Sequence, residues 1–574
     1  KIVFSYVGYK QVVRNSSPSI TTIDVAMEDA TQSIREVNVT AHRQVSTGAI
    51  NINERDLTFA MSKVDSKDLE GLQVASIDEA LQGRMAGVDI VANSGEPGAG
   101  MSIRIRGTTS INNGSDPLIV VDGIPFDTNV GSDFDFATAD EESYAQLLNI
   151  SPNDIQEITV LKDAAACAMY GNRGANGVLL IKTKRGAVTK PTVSYSFKGS
   201  MNVPATPIQT LNGNQYATLI LEESQNAGNQ LSTSSYPQFN VDVNNPYYLY
   251  NYALQSTDWY NELTRTGYTQ DHSVSLSGGG EKAQYRTSVG YYDQQGTVIG
   301  QAYSRLTAQL NLDYNVSDYL KFQVNFSYTH GDQDKNYTTD LLNSAYTKMP
   351  NMSVYEYLPN ADGVYALSPN YLSPTTTPQG YWNSGSNRGI YNPVAMANTG
   401  YWKIKSERIL PKFNIQYWII PEVLKYQGDI AFDINTSKDI RFLPQIATGR
   451  LWPETSVNRA TDLYSESFNV QTFNRLYLTP KLAKNHDFIG LLQLSTYDSK
   501  YSSYQEVSAL SASTSLTDPS VASSIVGTGL GLYSGSSQAR SVSLMAMAQY
   551  KFMDRYIING TIRQDGDSKY SKKN

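Results

Sequence analysis

At 574 residues the chain is too long for one ordinary core and calls for several units or one very large barrel. A net charge of -8 argues against a nucleic-acid partner, which would need a basic patch. The single cysteine, Cys167, excludes a disulfide framework and any cysteine-rich metal site. Charged residues make up 17%, below the roughly 25% of soluble domains, while Tyr occurs 40 times against 16 Phe and 5 Trp. That excess suits a half-wet surface, either a membrane-interface belt or a face for sugars or peptides, with an ordinary secreted β-rich protein as the plain alternative. No apolar run reaches 18 residues, which predicts no transmembrane helix but leaves membrane strands open. The chain begins in a strand pattern, Lys1-Ile2-Val3-Phe4, rather than a signal peptide, so a longer mature protein is expected.

Taken in order, residues 1–30 resemble the last strands of a small β module. The β-prone run Ile34 to Ala41 follows, with polar sequence from His42 to Lys67. It serves equally as one more strand of that module or as a segment that adds to a partner's sheet edge. From Asp68 short elements alternate: helical spacing over Ile77 to Arg84, a strand at Val88 to Val91, a loop over Asn93 to Gly100, and a strand at Met101 to Arg106. The run Pro117 to Pro125 is a buried strand ended by a turn. Asn153 to Gly186 carries an alternating strand (Ile155 to Leu161), a small-residue helical turn (Asp163 to Tyr170), a glycine turn (Gly171 to Gly177) and an apolar strand (Val178 to Ile181). The pattern predicts a compact α+β domain, with glycines permitting close backbone approach.

After Pro191 the register changes to long hairpins. Leu306, Ala308, Leu310, Leu312 and Tyr314 alternate with polar residues, turn at Asn315 to Asp318, and return through Leu320, Phe322, Val324, Phe326 and Tyr328. Strict alternation of this length with a short turn is the outer-membrane barrel signature. The design recurs at Phe413 to Phe432 and Val542 to Ile562. About eleven strands are expected between 192 and 566, with long loops at 331–400, 436–465 and 500–538. Short turns mark the periplasmic rim and long loops the outer one.

Catalytic signals are weak. The four histidines show no metal-ligand spacing, Gly278-Gly279-Gly280 is a hairpin turn, and Gly527 to Gly531 lacks the context of a nucleotide fingerprint. Asp133 and Asp135, with Asp140, Glu141 and Glu142, form either a Ca²⁺ site or a solvated acidic loop, and the second reading is preferred. No enzyme activity, cofactor or metal is expected.

The runs Ala80 to Val88, Ile103-Arg104-Ile105-Arg106-Gly107, Val120 to Pro125, Val160-Leu161-Lys162-Asp163-Ala164 and Tyr170 to Val178 resemble the plug domain of TonB-dependent outer-membrane transporters. The likeness is greatest to the SusC/RagA branch of Bacteroidetes. It implies a mainly β fold: a transmembrane antiparallel β-barrel of about 22 strands when complete, with an α+β plug in its lumen. It divides the chain into the end of a carboxypeptidase-regulatory-like module (1–30), a TonB-box region and linker (31–67), the plug (68–190) and the first part of the barrel (191–574). Half the barrel strands and the terminal aromatic strand are then expected beyond Asn574.

In that frame Glu36, Val37, Asn38, Val39 and Thr40 fall where the family carries its TonB box. Ala41-His42-Arg43 departs from the valine run leading into Gly-Tyr-Gly that is commoner there. Arg104, Arg106 and Arg173, with Asp122 and Lys162, are candidates for a network locking plug to wall, against a reading as ordinary surface charges. Substrate-contact candidates are Asn93, Glu96, Asp133, Asp135 and Tyr144 on the plug, and Tyr371, Tyr381, Trp382 and Tyr391 on barrel loops. The resemblance implies active import through the outer membrane, powered by TonB with ExbB/ExbD, with a SusD-like lipoprotein over the mouth and pairing of SusC–SusD units. Oligosaccharide is the leading cargo and oligopeptide the second. A passive porin-like channel is the further alternative.

Overall fold

The computed structural model describes residues 2–4, 12–15, 22–27, 44–46, 51–56, 60–69, 77–92, 94–107, 116–126, 150–163, 167–228, 256–359, 361–363, 365–372, 392–448, 457–483, 485–511, 515–519 and 531–568. Two units separate: residues 1–46 with 51–57, and residues 47–50 with 58–574. In the first, β1 (Ile2–Phe4) pairs antiparallel with β2 (Val12–Arg14), and β3 (Gln44–Ser46) with β4 (Asn51–Asn53).

The second unit opens with a plug. It contains β5 (Met61–Asp65), α1 (Ser66–Leu69), α2 (Ile77–Leu81), β6 (Val88–Ala92), β7 (Met101–Ile105), β8 (Leu118–Val121), β9 (Ile124–Pro125), β10 (Ile155–Leu161) and β11 (Val178–Thr183). Its sheet runs β5-β10-β11-β8-β9, with β8 parallel to β11 and the other pairs antiparallel, while β6 and β7 form a separate ribbon. Ile77, Leu81, Ile103, Ile155, Ile158, Leu161, Leu179 and Ile181 are its largest fully buried side chains. The alternation expected for β10 gives way to a continuously buried run from Ile158 to Leu161. A central strand covered on both faces has no solvent side for a polar row to occupy.

The segment Ala168–Gly174, where the expected helical turn runs into the expected glycine turn, is 3₁₀. Gly171 breaks it at φ 65°, ψ -149°, a conformation essentially closed to residues with a Cβ.

Eleven wall strands follow: β12 (Thr189–Asn202), β13 (Gly267–Gly279), β14 (Ala283–Gln295), β15 (Ala302–Asn315), β16 (Leu320–Asp334), β19 (Tyr401–Ile420), β20 (Leu424–Leu443), β21 (Arg459–Leu478), β22 (His486–Ser508), β23 (Gly531–Phe552) and β24 (Tyr556–Asp567). β17 (Tyr355–Pro359) and β18 (Tyr365–Tyr371) form a small hairpin between β16 and β19. Every wall strand pairs antiparallel with its neighbour in sequence, and the expected hairpin holds its register, Leu310 opposite Phe326 and Leu312 opposite Val324. Leu306, Leu310, Phe326, Phe413 and Ile415 are exposed on one face. Thr307, Asn311, Asn325, Asn414, Asp429, Gln471 and Arg475 are buried on the other. This inversion of the soluble pattern is what lipid outside and protein inside require. No described helix is long and apolar enough to cross a membrane.

Two loop expectations change. β20 to β23 run 20 to 23 residues, so much of 436–465 and 500–538 is strand. About 9–11 residues cross the bilayer; the remainder keep their backbone ladder while losing the apolar row, which hid them in sequence. The outer connections also contain helices: α3 (Gly213–Asn226), α4 (Trp259–Leu263), α5 (Thr338–Thr347), α6 (Pro393–Thr399) and α7 (Gln445–Thr448). Trp259, Leu263, Leu341, Val394, Met396 and Ala447 give this layer its own core.

Candidate functional site: the seam between plug and wall

The plug's turns present backbone carbonyls to the wall, and carbonyls buried there need donors. The wall meets them with side-chain donors. Gln471 Nε2 donates to Pro125 O at 2.7 Å, Gln333 Nε2 to Pro97 O at 2.8 Å and Asn311 Nδ2 to Lys184 O at 2.8 Å. Lys412 Nζ donates to Asp122 O, and Arg563 Nη1 to Met169 O, each at 2.5 Å.

Ion pairs reinforce this seam. Arg286 of β14 meets Asp154, just before β10, at 2.8 Å, with both side chains nearly buried (11% and 7% exposed). Arg185, in the connector after β11, meets Asp313 of β15 at 2.7 Å and donates to Asn325. Lys198 and Asp271 hold Asn153 from two further strands. Behind the seam, Asp429 is bound by Arg475 at 2.7 Å and Lys412 at 3.3 Å, and Arg408 grips Asp433 through both prongs at 2.8 and 2.7 Å. Arg408 also lies over the plug's Phe126 ring, 4.2 Å from its centroid. Such pairs hold their geometry where water is scarce.

Of the lock candidates, Asp122 lies at the centre of the seam. Its carboxylate accepts from Thr183 N (3.0 Å), Thr183 Oγ1 (2.7 Å) and the wall's Asn325 Nδ2 (3.1 Å). Positive φ at Asp122 (47°) and Gly123 (83°) makes the tight β8–β9 turn that presents it. Arg173 reaches the wall by lying over Tyr497, 5.0 Å from the ring centroid, and donates to Phe126 O within the plug.

Arg106 and Lys162 turn inward instead. Arg106 pairs with Asp163 at 2.5 Å; Lys162 donates to Ser62 Oγ and Ala86 O. The Ala60 N–H, then Arg106, hold the Asp163 carboxyl below its usual range, while burial and then Arg106 lower Lys162. Arg104 is exposed. Arg104 points away from the covered face that Ile103 and Ile105 fill, and Arg106, just past the strand at φ 60°, is held by Asp163 instead of by the wall.

Among the cargo candidates, Glu96 is half-buried in the loop before β7, and Tyr371 stacks on Tyr355 with ring centroids 5.3 Å apart. Asn93, Asp133, Asp135, Tyr144, Tyr381, Trp382 and Tyr391 lie outside the described residues, as do Glu36 to Thr40. Sequence reasoning missed Asp154, Arg286, Arg185, Asp313, Asp429 and Arg475. The signal was present for the wall members, since each occupies a polar slot of an alternating strand.

A long-stranded wall, apolar outside and polar inside, with a separate domain bonded to its inner face, defines a plugged outer-membrane-type β-barrel. Residues 53–178 match the family model of the TonB-dependent receptor plug domain. The chain is 30% identical over 449 residues to the TonB-dependent receptor SusC of Bacteroides thetaiotaomicron, covering 78% of this chain and 39% of that protein. It is 28% identical over 585 residues to TonB-dependent receptor P3 of Formosa agariphila, covering 100% of this chain and 50% of the relative. The RagAB peptide importer in its closed-closed state superposes with a TM-score of 0.68 at 20% identity, covering 90% of this chain and 56% of the other. The chain thus spans about half the length, or less, of these curated relatives. Its type is that of the SusC/RagA TonB-dependent transporters.

Proposed function

We propose that the whole protein actively imports oligomeric nutrients across the outer membrane, driven through TonB, without catalysis of its own. One observation carries this: a plug with its own five-stranded sheet is held to the lumen wall by side-chain contacts that can part without breaking the wall's own ladder. A passive channel has no use for such a domain. Residues 36–40 are the segment TonB takes as an added strand, with ExbB/ExbD as the energy source. Tension from there enters the plug at Ala60, whose N–H is held by Asp163. Asp122 and Arg173, with the Asp154–Arg286 and Arg185–Asp313 pairs, are the contacts that must yield.

The division into a module (1–30), a TonB-box linker, the plug and the barrel (191–574) belongs to this reading. The linker–plug limit expected at 67/68 is drawn back so that the plug takes in β5, which pairs with β10. A SusD-like lid, pairing of such units and residence in the outer membrane belong to the same reading. Glycan oligomers are the leading cargo, on the SusC resemblance. Oligopeptides are a second reading, favoured by the likeness to a structure described as a peptide importer. Contacts through Glu96, Tyr371 and the aromatic loop residues would serve either, since aromatic faces stack on sugars and pack on peptides.

The test deletes residues 34–41 in the expressing cell and follows uptake of defined oligosaccharides and oligopeptides. Uptake should be lost while surface binding persists, and the cargo class retained by binding identifies the substrate. Undiminished uptake would sink the TonB-coupled reading.

A further inference from the structure

We propose that the cavity between the 3₁₀ segment Ala168–Gly174 and strands β21 to β24 binds one small oxoanion of sulfate or phosphate size, which ties plug to wall. Three arginines line it: Arg173 from the plug, Arg475 from β21 and Arg563 from β24. The hydroxyls of Ser495 and Ser543 face the same space. No carboxylate lines it among the described residues.

The neighbouring charges do not balance. Arg475 shares Asp429 with Lys412, and Arg563 has Asp565 at 2.8 Å. Arg173 makes no ion pair among the described residues and has only the Phe126 carbonyl, at 3.4 Å, and the Tyr497 ring. Of the three lining arginines, two are paired to carboxylates (Asp429, Asp565), so the Arg173 charge is left over beside Arg475 and Arg563 side chains that are only 6% and 16% exposed. Buried surplus charge is unfavourable until a counter-charge enters.

The shape selects the ion. A cavity of about 60 Å³ holds roughly four or five waters, at 10–15 Å³ each, and so one tetrahedral oxoanion. Guanidinium forks match oxoanion edges two bonds at a time, and serine hydroxyls donate to the remaining oxygens. Bound there, the ion bridges Arg173 on the plug to Arg475 and Arg563 on the wall, where like charges otherwise face each other.

The site stands apart from the import reading: a protein that transports nothing would still bind the ion. The experiment is equilibrium dialysis of the purified protein, with its complete barrel in detergent, against radiolabelled sulfate, with unlabelled phosphate as competitor. One equivalent should bind and be displaced by phosphate. Arg173→Gln should weaken binding at least tenfold and Ser543→Ala several-fold, with heat-modifiable gel migration confirming folded barrels. If Arg173→Gln fails to fold, Arg173→Lys, which keeps the charge but loses the fork, should still weaken binding several-fold. Absence of wild-type binding at millimolar sulfate, or equal affinity in wild type, the folded Arg173 variant and Ser543→Ala, would overturn the assignment.

Discussion

Replacing Asp154 with Ala should loosen the plug without touching the wall ladder. The substitution leaves the Arg286 guanidinium in a nearly buried site without the one ion-pair partner it has among the described residues. Its Nε already has no hydrogen-bond partner among the described residues, so the remaining nitrogens have little to turn to. Removing one partner of a buried pair costs about 3–5 kcal/mol. At about 1.4 kcal/mol per decade, that raises the population of unseated plug by a hundredfold to a few thousandfold.

Trypsin can read this population at Lys184–Arg185. In the seated state the Lys184 N–H donates to Asp154 O at 2.8 Å, its carbonyl accepts from Asn311, and Arg185 is paired with Asp313. Cleavage therefore requires release, and its rate follows the open population when closing is fast. The double variant Asp154→Ala/Arg286→Met removes the orphaned charge and should recover most of the loss, because apolar replacement of a buried pair is often close to neutral. Nicking of the single variant at the wild-type rate, or of the double variant as fast as the single, would refute the claim that this pair seats the plug.

Three further outcomes are expected. Lys348, 5% exposed in the outer layer, has its ammonium lowered from 10.5 to about 8 by burial. The unfolded chain therefore holds the extra proton between those values, and stability should rise by about 3 kcal/mol from pH 8 to 10.5; urea unfolding of wild type and Lys348→Met, which should lack this rise, checks it. Gly171→Ala places a Cβ 2.6 Å from Asp565 Oδ2 in a backbone region closed to it, whereas Gly83→Ala (φ 71°) meets nothing within 4 Å. The first should cost about 1–3 kcal/mol and exceed the second, and equal melting points would count against the close contact. Cys167 is buried, and its thiol is pushed up to about 11 by desolvation and then by Asp163. Near pH ~8 only about one molecule in a thousand carries thiolate, so maleimide should label Cys167 only after denaturation; rapid labelling of native protein would contradict that burial.

Much of the architecture was legible because its physics is local. In β15 and β16, alternate residues meet lipid and lumen, so Leu306 to Tyr314 and Leu320 to Tyr328 announce both strands, their turn and their register. Asp122-Gly123 announces its tight turn in the same way. Where both sides of a strand meet the same medium the signal fades. β10 loses its alternation between two covering layers.

The sequence by itself determined the wall strands, the plug elements and the polar slots from which Arg286, Asp429 and Arg475 act. Tertiary structure alone decided which charges meet. Arg286 finds Asp154 across 132 positions and Gln471 finds the Pro125 carbonyl across 346, while Arg106 stays within the plug with Asp163. Periodicity tells a residue which face it occupies. Partner choice depends on how two separately formed surfaces come together, and no short-range pattern encodes that.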